Sequence, residues 1–366
     1  MDFLNEFPVL KKYTYLNTAN SGILSRELSE WRTAHDQNFL LTGSLFRLKR
    51  DEFLQNGREI IATFLNGRAN HTYLVPNFSF GFNVLLDGLD SPKRFVLLKD
   101  DYPSINYPVE SRGHQCAYVQ IDETLEQNIL NAIDYFNPEV VALSLVQYSN
   151  GIKIDFDFLK QLKIDHPELL IIADGTQFCG TANFDFQTSG IDVLISSGYK
   201  WLLGGYGNGF VLLSEEAAEK LYMKEKKNAL PSEGFLKHRN TLSLFFEPGH
   251  LDTLNFGTLF KAIAYLQEQG IENIEKKINQ LTLKARQAFT ERELLSTAVK
   301  NRKKHSSIFN LNLPFDIIKK LQDNDIVITF RGAGARVSFH FYNSEDELNK
   351  ILQVIDLHYR FFKISR

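Results

Sequence analysis

Two neighbouring segments of the sequence end in side chains that could form and support an imine. Asp174 follows the apolar run 169–173, and Gln177 lies three residues further on. The next apolar run, 193–195, is followed by Lys200, which lies 26 residues after Asp174. A lysine at the end of a buried strand is desolvated, which lowers its pKa, and imine formation requires a lysine with a lowered pKa. We therefore predict a reactive amine at Lys200 with a carboxylate nearby.

A third segment, 73–83, predicts a strand followed by a helix whose first turn could bind an anion. Asn77 is a suitable N-cap, and the amides of Phe78 and Ser79, with the Ser79 hydroxyl, would be free to hold a phosphate. A pyridoxal-phosphate enzyme needs three features: a phosphate site, a carboxylate able to pair with a protonated ring nitrogen, and an imine-forming lysine. The sequence offers a candidate for each. The glycine-rich run 204–209 does not fit a dinucleotide-binding fingerprint, because it leads into a strand and not into a helix.

These segments belong to an alternation of strands and helices that extends from about residue 57 to 215. Seven short runs in it are mostly apolar: 73–75, 95–98, 117–121, 140–146, 169–173, 193–195 and 210–213. Strands that are apolar on both faces and separated by helices predict an α/β fold, with a mostly parallel seven-stranded sheet covered on both sides. Ligands bind beyond the carboxyl ends of such strands, which is where Asp174 and Lys200 lie.

After about residue 250 the pattern changes to that of a smaller α+β unit. A long helical pattern at 254–289, with a break near Gly270, precedes predicted strands at 305–311, 326–330 and 337–341. Ser344 and Glu347 form a capping-box pattern that would open a final helix ending near His358. We predict a large domain at 16–255 and a small α+β domain at 256–366, with residues 1–15 packing against the small one.

Composition and charge exclude several classes of protein. The net charge of -3 provides no electrostatic basis for binding nucleic acid or an anionic membrane. The two cysteines, Cys116 and Cys179, form no CxxC pair, and the nine histidines include no HxxxH or HExxH, so we expect no metal. The first residues lack a signal-peptide pattern, and no apolar run approaches the roughly 20 residues of a membrane helix. These features predict a metal-free cytoplasmic protein.

Two of the segments resemble those of a known family. Residues 174–177 (Asp-Gly-Thr-Gln) and 197–204 (Ser-Gly-Tyr-Lys-Trp-Leu-Leu-Gly) are similar to the motifs of the class V aminotransferase family of fold type I pyridoxal-phosphate enzymes. This family includes cysteine desulfurases, isopenicillin N epimerase-like proteins and kynureninases. The resemblance extends from Tyr15 to about His358. It implies the fold type I architecture, pyridoxal 5′-phosphate as the cofactor and a small amino acid as the substrate.

The family pattern implies a role at the cofactor for several residues. Lys200 would hold the cofactor through an imine, and Asp174 would keep the ring nitrogen protonated. Gln177 and Asn150 would hydrogen-bond the ring hydroxyl. The other cofactor contacts would come from Phe78, Ser79 and Ser197 at the phosphate, from Tyr102 stacked on the ring, and from Tyr199 beside the lysine.

The same pattern implies residues for the substrate and for a partner subunit. Asn20 lies in the segment 15–22, which resembles the family's opening loop near the substrate carboxylate. Arg336 matches the arginine that binds this carboxylate through two parallel hydrogen bonds, and Arg331 is the second choice for that role. His250 ends a segment that resembles the one through which the partner subunit reaches the phosphate. The resemblance thus implies a homodimer with shared active sites.

Departures from the family pattern leave the reaction open. Tyr199 stands where desulfurases usually have histidine, and kynureninases share this Tyr-Lys pair. The loop 331–335 is short and has no cysteine, whereas desulfurases carry their nucleophilic cysteine there, so a persulfide-forming desulfurase is not expected. We expect an aminotransferase first. A lyase of the cysteine, selenocysteine or kynurenine type without a catalytic cysteine, an epimerase, and a non-catalytic binding or regulatory protein are the alternatives.

Overall fold

The strands form one large and two small sheets in a computed structural model that describes residues 3–236, 239–332 and 334–364. In chain order they are β1 (Thr14–Tyr15), β2 (Thr72–Val75), β3 (Arg94–Leu98), β4 (Gln115–Val119), β5 (Val140–Ser144), β6 (Leu170–Asp174), β7 (Val193–Ser197), β8 (Gly209–Leu213), β9 (Ile308–Leu311), β10 (Ile326–Val327), β11 (Thr329–Arg331) and β12 (Gly334–Ser338). The large sheet has the order β2-β8-β7-β6-β5-β3-β4. Its neighbouring strands are parallel except where β8 pairs with β2 and β7. The predicted mostly parallel seven-stranded sheet is therefore confirmed.

Helices surround this sheet and continue into the C-terminal part of the chain. They are α1 (Phe3–Glu6), α2 (Arg26–Thr42), α3 (Arg50–Leu65), α4 (Phe78–Asp87), α5 (Pro103–Ser111), α6 (Leu125–Phe136), α7 (Phe156–Asp165), α8 (Glu215–Lys220), α9 (Thr241–Phe246), α10 (Thr253–Gln269), α11 (Ile271–Glu291), α12 (Thr297–Asn301), α13 (Phe315–Asp323) and α14 (Glu345–Ile364). Helix α4 lies close to the sheet because Gly81 has no side chain, and a Cβ there would lie 2.9 Å from Cγ2 of Val211. Among the described residues, no helix combines the length and the apolar character needed to cross a membrane.

Both faces of the large sheet are buried at its central strands, whereas Gln115 and Tyr118 of the edge strand β4 are exposed. Along β6, Ile171 and Ala173 pack into one hydrophobic cluster, and Ile172 packs into the other. The first cluster also contains Ile129 of α6, and the second contains Phe82 of α4. Successive side chains of a strand point to opposite faces, so a half-polar strand could not have filled both clusters.

The C-terminal part forms a second, smaller unit. Strands β11, β12 and β9 make an antiparallel sheet, and β1 pairs in parallel with β10, so the N-terminal strand lies in this unit. The long helical pattern breaks at Gly270, which has a φ of 76°, into α10 and α11. Helix α10 packs against α2 and α3, whereas α11 packs against α14. The division of the chain at residue 255 stays a proposal.

The last helix begins where the capping box predicts and continues further than expected. The Ser344 amide donates to a Glu347 carboxylate oxygen at 2.8 Å, and the Asp346 amide donates to Ser344 Oγ at 3.2 Å. The helix extends to Ile364, past the predicted end near His358. No glycine or proline follows His358, so the sequence has no residue there that would stop a helix.

Candidate active site

A cavity of about 460 Å³ opens at the carboxyl ends of β5, β6 and β7. The last residues of these strands, Ser144, Asp174 and Ser197, line it. The residues predicted from the sequence that also line it are Asn20, Phe78, Ser79, Tyr102, Gln177, Tyr199 and Lys200. Parallel strands bring their carboxyl ends to one edge of a sheet, which is why residues distant in the sequence meet here.

Lys200 and Asp174 have pKa values displaced toward each other. Burial lowers the pKa of Lys200 to about 8, with the charges of Arg336 and Arg331 adding to the effect and that of Asp174 opposing it. Burial raises the pKa of Asp174 to about 6, although Lys200 and a hydrogen bond from Thr176 favour the carboxylate. Lysine Nζ lies 5.7 Å from the centre of the Tyr102 ring. Burial thus favours the neutral form of each group, and the attraction between the Asp174 carboxylate and the Lys200 ammonium opposes that effect.

A turn of fixed backbone geometry holds Lys200 at the cavity. The amide of Leu203 donates to the Lys200 carbonyl at 3.1 Å, and Leu203 has a φ of 57°. The amide of Gly22, in the opening loop, donates to the Tyr199 carbonyl at 2.8 Å. A Cβ on Gly22 would lie 2.2 Å from the Lys200 carbonyl oxygen, so only glycine allows this approach. The lysine turn and the opening loop are therefore packed as one unit.

The segment after β6 links this turn to the cavity floor. The Thr176 amide donates to Asp174 Oδ1 at 2.8 Å, and the Ser197 amide donates to Thr176 Oγ1 at 3.1 Å. Gln177 Nε2 donates to the Ala19 carbonyl at 2.9 Å, and Gln177 Oε1 accepts from the Trp201 indole at 2.7 Å. Each end of the amide has one further hydrogen-bonding position, so Gln177 can still bind a ligand.

The first turn of α4 faces the same cavity. The Phe78 amide donates to Ser197 Oγ at 2.8 Å, and Asn77, the N-cap, accepts from the Phe80 amide at 2.9 Å. Ser79 Oγ donates to Ser104 Oγ at 2.8 Å. Amides of a first helical turn have no partner within the helix, and the helix dipole favours an anion there. This turn has features of a phosphate site, but the Phe78 amide, which we expected to be free, is used by Ser197 Oγ, and the roles of Phe78 and Ser79 stay predictions.

Tyr102 is held in place by the buried carboxylate that precedes it. Asp101 accepts from the Tyr102 amide at 2.7 Å, from the Ser144 amide at 2.8 Å and from Ser144 Oγ at 2.6 Å. Burial raises the pKa of Asp101, and these hydrogen bonds oppose the rise. The Tyr102 ring meets that of Tyr148 edge to face at 5.4 Å. Asp101 thus ties the ends of β3 and β5 together and orients the ring over the cavity.

Arg336 is buried with part of its guanidinium group unsatisfied. Its side chain is on β12, the residue is 2% exposed, and Nη1 donates to the Tyr148 carbonyl at 2.8 Å. Nε and Nη2 have no hydrogen-bond partner among the described residues. Burial lowers the pKa of Arg336 to about 10. A buried guanidinium with two free N–H groups is suited to bind a carboxylate through two parallel hydrogen bonds.

Four predicted residues lie outside the set that lines the cavity: Asn150, His250, Arg331 and Arg336, the last of which contacts the lining residue Tyr148 through its carbonyl. Asn150 accepts from the Ile152 amide at 3.1 Å within its own turn, and Arg331 is exposed at the end of β11. His250 is exposed, and Arg47 Nη2 and Arg50 Nη1 lie 3.1 and 2.6 Å from its ring nitrogens Nε2 and Nδ1, contacts in which only the arginines can donate. The functional roles of all the predicted site residues stay predictions.

The structure adds residues that the sequence argument did not select. Thr176, Ser144, Tyr148 and Tyr206 line the cavity. Thr176 and Ser144 could have been found from their positions at strand ends. Tyr206 lies in the glycine-rich run, and its ring stacks on that of Tyr199 at 4.9 Å, a contact that no sequence pattern signals.

Neither cysteine is suited to nucleophilic attack. Cys179 is buried, and burial raises its pKa to about 12. Cys116 lies on β4, and burial also raises its pKa. A thiolate is the reactive form of cysteine, so raised pKa values make both thiols poor nucleophiles.

These residues fit pyridoxal 5′-phosphate. The cavity joins an anion-binding helix terminus, a buried carboxylate and a lysine of lowered pKa, and the unsatisfied Arg336 offers a place for a substrate carboxylate. Each group in this set corresponds to one chemical feature of the cofactor or of an amino acid.

A family model described as Aminotransferase class-V matches residues 46–351. The chain belongs to this family. Membership confirms the predicted family, the fold type and pyridoxal 5′-phosphate as the cofactor of a family enzyme. The match includes β2 to β12 and so covers every strand that contributes to the cavity.

Individual family members resemble the chain distantly over its whole length. A probable cysteine desulfurase of Methanothermobacter thermautotrophicus is 21% identical, with 97% of each chain covered. An uncharacterized aminotransferase, YcbU of Bacillus subtilis, is 21% identical, with 95% of each covered. Two structures of C-DES are similar to the chain. One has glycine covalently linked to the PLP cofactor, and it is 19% identical with a TM-score of 0.84, with 96% of this chain and 99% of that chain covered. The other is a complex of this cystine C-S lyase with cysteine persulfide, and it is 21% identical with a TM-score of 0.79, with 96% of this chain and 99% of that chain covered. At these identities the structures show a shared fold alone.

Proposed function

We propose that this class V family member acts on a small α-amino acid, with Arg336 binding the substrate carboxylate and Lys200 carrying the proton at the α-carbon. The observation that carries the proposal is that two N–H groups of the buried Arg336 guanidinium have no hydrogen-bond partner among the described residues. The charge of this guanidinium also lowers the pKa of Lys200. An unsatisfied buried charge is costly, so it indicates a ligand that completes it.

In such a reaction, each of these active-site residues would have a distinct role. The bound cofactor supplies an electron sink for bonds at the α-carbon. Lys200 Nζ accepts a proton near neutral pH, because its pKa is lowered to about 8, and it can return the proton as the ammonium form. Arg336 fixes the orientation of the substrate through its carboxylate. Tyr199, Tyr206 and the opening loop cover the cavity, where Tyr206 Oη donates to Ser21 Oγ at 3.1 Å, and so limit the entry of water.

For the overall reaction we propose transamination, the activity for which the family is named. The base that this reaction needs at the α-carbon, Lys200, lines the cavity, and the carboxylate anchor, Arg336, donates to the carbonyl of the lining residue Tyr148.

A C-S lyase that uses no enzyme thiol is the second candidate. The raised pKa values of the Cys116 and Cys179 thiols count against a reaction that needs an enzyme thiol, and so favour this lyase over a persulfide-forming desulfurase. C-DES, named as a cystine C-S lyase, has the same fold. Elimination of a thiol from the β-carbon uses the same base and the same carboxylate anchor, so the geometry accommodates both reactions.

We also propose a homodimer. Five large apolar side chains in the last turn of α2 and in the segment that joins it to α3 are 55–80% exposed: Phe39, Leu40, Leu41, Leu45 and Leu48. We call this set the 39–48 patch. Contiguous exposed apolar surface of this kind marks protein interfaces. His250 contacts Arg47 within the patch region, which is consistent with the expectation that His250 acts across a subunit interface.

Borohydride reduction of the holoenzyme tests the assignment of Lys200. In the wild-type protein the cofactor should become permanently attached to a peptide that contains Lys200. The Lys200→Ala variant should bind the cofactor without covalent attachment, and circular dichroism would verify its fold. Attachment of the cofactor to this variant would show that another amine forms the imine.

The two candidate reactions differ in their products. Transamination should convert the visible absorption band of the holoenzyme to that of the pyridoxamine form and release an oxo acid. A C-S lyase should keep its band while pyruvate and a sulfur product accumulate from cysteine or cystine. The absence of both results across a panel of amino acids, in a protein that binds the cofactor, would contradict the proposed function.

Replacement of Arg336 tests the substrate anchor. Arg336→Ala should raise KM by about tenfold to a hundredfold, because a charge-assisted hydrogen bond contributes about 1.5–3 kcal/mol. Arg336→Lys should recover part of this loss, because the lysine ammonium restores the positive charge but cannot form the two parallel hydrogen bonds of a guanidinium. The dissociation constant of the cofactor should stay the same in both variants. Unchanged KM in a folded variant would remove Arg336 from the substrate site.

A further inference from the structure

Two neighbours hold the side-chain amide of Gln177 in one orientation. Gln177 Oε1 accepts from the Trp201 indole Nε1 at 2.7 Å, and Gln177 Nε2 donates to the Ala19 carbonyl at 2.9 Å. An indole N–H can only donate and a carbonyl oxygen can only accept, so the oxygen and the nitrogen of the amide cannot exchange places. All three residues are buried, which limits competition from water for these hydrogen bonds.

This orientation leaves an N–H donor of Gln177 for a ligand. Gln177 lines the cavity, and one of the two hydrogens on its Nε2 is bonded to Ala19. Among the described residues, no acceptor is found for the other hydrogen. The reversed amide would place its oxygen at the Ala19 carbonyl and its NH₂ group at the indole N–H, which pairs acceptor with acceptor and donor with donor. Trp201 and Ala19 thus fix which end of the amide carries the free donor.

Trp201 is itself held by His340, which follows β12 in the small unit. His340 Nδ1 accepts from the Phe341 amide at 2.9 Å, so its Nε2 carries the ring hydrogen and donates to the Trp201 carbonyl at 3.0 Å. The two rings meet edge to face at 5.1 Å. Burial lowers the pKa of His340 to about 3, so the imidazole is neutral at physiological pH and keeps this arrangement. The backbone and the ring of Trp201 are therefore both fixed.

We propose that Trp201 is a positioning residue, which orients Gln177 to donate a hydrogen bond to the ring hydroxyl oxygen of the cofactor and so favours the ionised form of that oxygen. The inference rests on the proposed function, because it takes pyridoxal 5′-phosphate as the occupant of the cavity with Gln177 beside its ring hydroxyl. A donor that faces an oxygen stabilises its negative charge. An ionised ring oxygen attracts the proton of the imine nitrogen and so prepares the imine carbon for attack by the substrate amine.

Two ligands that differ only in the ring hydroxyl test this without turnover. Pyridoxal 5′-phosphate and 3-deoxypyridoxal 5′-phosphate would be titrated into the cofactor-free protein. Trp201→Phe keeps an aromatic ring but removes the N–H that restrains Gln177, so it should weaken binding of pyridoxal 5′-phosphate about threefold to tenfold. Binding of the deoxy compound should not change. Equal weakening of both ligands would mean that Trp201 has only a structural role, which overturns the inference.

The matched control is Trp31→Phe, the same change at the other tryptophan of the chain. Trp31 stacks on Phe53 and is not among the residues that line the cavity. This variant should bind both ligands as the wild-type protein does. Loss of the preference for the ring hydroxyl in Trp31→Phe as well would show that the effect does not depend on the contact with Gln177.

The visible absorption of the holoenzyme shows whether Trp201 acts through Gln177. Loss of an oriented donor should raise the pKa at which the visible band of the bound cofactor titrates, by about half a unit to one unit in Trp201→Phe. Gln177→Leu should raise it at least as far. The double variant should not exceed Gln177→Leu alone, because residues that act through one hydrogen bond are not additive. Additive shifts, or no shift in Trp201→Phe, would overturn the inference.

A second replacement is available if circular dichroism shows that Trp201→Phe does not fold. In Trp31→Phe the sole remaining tryptophan is Trp201, so supplying 3-benzothienylalanine during expression replaces Trp201 alone by a residue of the same shape without the N–H. The same rise in pKa is expected. An unchanged pKa in a protein whose cofactor borohydride still attaches to Lys200 would overturn this inference alone. Absence of that attachment in the wild-type protein would instead overturn the proposed function.

Discussion

At the scale of single residues, the site depends on opposing effects on one amine. Burial disfavours the charged form of Lys200, whereas the nearby Asp174 carboxylate favours it. The result is a pKa of about 8, well below the value of 10.5 for an unperturbed lysine. Desolvation therefore outweighs the attraction of the carboxylate, and a useful fraction of the amine is neutral at physiological pH.

The pH dependence of Lys200 reactivity checks this balance in the protein without cofactor. Reductive alkylation of Lys200 by acetaldehyde and cyanoborohydride should accelerate as pH rises through about 8, because only the neutral amine attacks. Asp174→Asn removes a negative charge that raises the pKa of Lys200, so it should shift the midpoint to lower pH. Peptide mapping by mass spectrometry would follow Lys200 alone. A midpoint near 10.5, or one that Asp174→Asn does not move, would show that this electrostatic account is wrong.

At the scale of elements, the strand ends and the first turn of α4 meet where we propose that the phosphate binds. Ser197 ends β7 and accepts from the Phe78 amide, so the helix and the strand are joined at the point where a phosphate would bind. Asn77 caps the helix at the Phe80 amide. The helix terminus, its cap and a strand end therefore act together.

Replacement of Ser197 tests this site with two ligands that differ by one phosphate. Ser197→Ala should weaken binding of pyridoxal 5′-phosphate about tenfold or more, from loss of a hydrogen bond to a charged group of about 1.5–3 kcal/mol. Binding of pyridoxal, measured in the same way by absorption titration, should change little.

The matched control is Ser214→Ala, which removes the serine that caps α8 away from the cavity. It should leave both affinities unchanged. Equal weakening of both ligands by Ser197→Ala would assign Ser197 a purely structural role.

At the scale of the whole molecule, residues far apart in the chain close the cavity together. The Ser338 amide of β12 donates to the Leu16 carbonyl at 2.9 Å, and the Ala19 amide donates to Ser338 Oγ at 3.0 Å. The same loop contacts Tyr199 through Gly22. The opening loop thus connects the lysine turn of the large sheet with the small sheet that carries Arg336.

The 39–48 patch predicts how copies of this chain associate. Leu41 and Leu48 are each 80% exposed, so a double change to Leu41→Glu and Leu48→Glu costs little within one subunit and should prevent dimer formation. Sedimentation equilibrium would measure the mass of the wild-type protein and the variant. Leu283→Glu, at a 69% exposed position on α11, is the control and should stay dimeric. A wild-type monomer, or a double variant that still dimerises, would contradict the assignment of the interface.

The sequence by itself determined the sheet and the central pair of the site. Short, mostly apolar runs separated by helical patterns favour strands buried on both faces, and a carboxylate and a lysine that follow two neighbouring runs of this kind then lie at one edge of a parallel sheet. Asp174 and Lys200 were therefore predictable from local pattern alone. The N-cap at Asn77 and the capping box at Ser344 were predictable for the same reason, since their hydrogen bonds join residues close in the chain.

Only the tertiary structure decided which of several similar residues reach the cavity. Tyr148 lines it and Asn150 does not, because the Asn150 side chain is used by the Ile152 amide within its own turn. Arg336 and Arg331 are indistinguishable by residue type, yet Arg336 is buried with free N–H groups and Arg331 is exposed. Burial and hydrogen-bond satisfaction depend on contacts between distant parts of the chain, and no local pattern of residues specifies them.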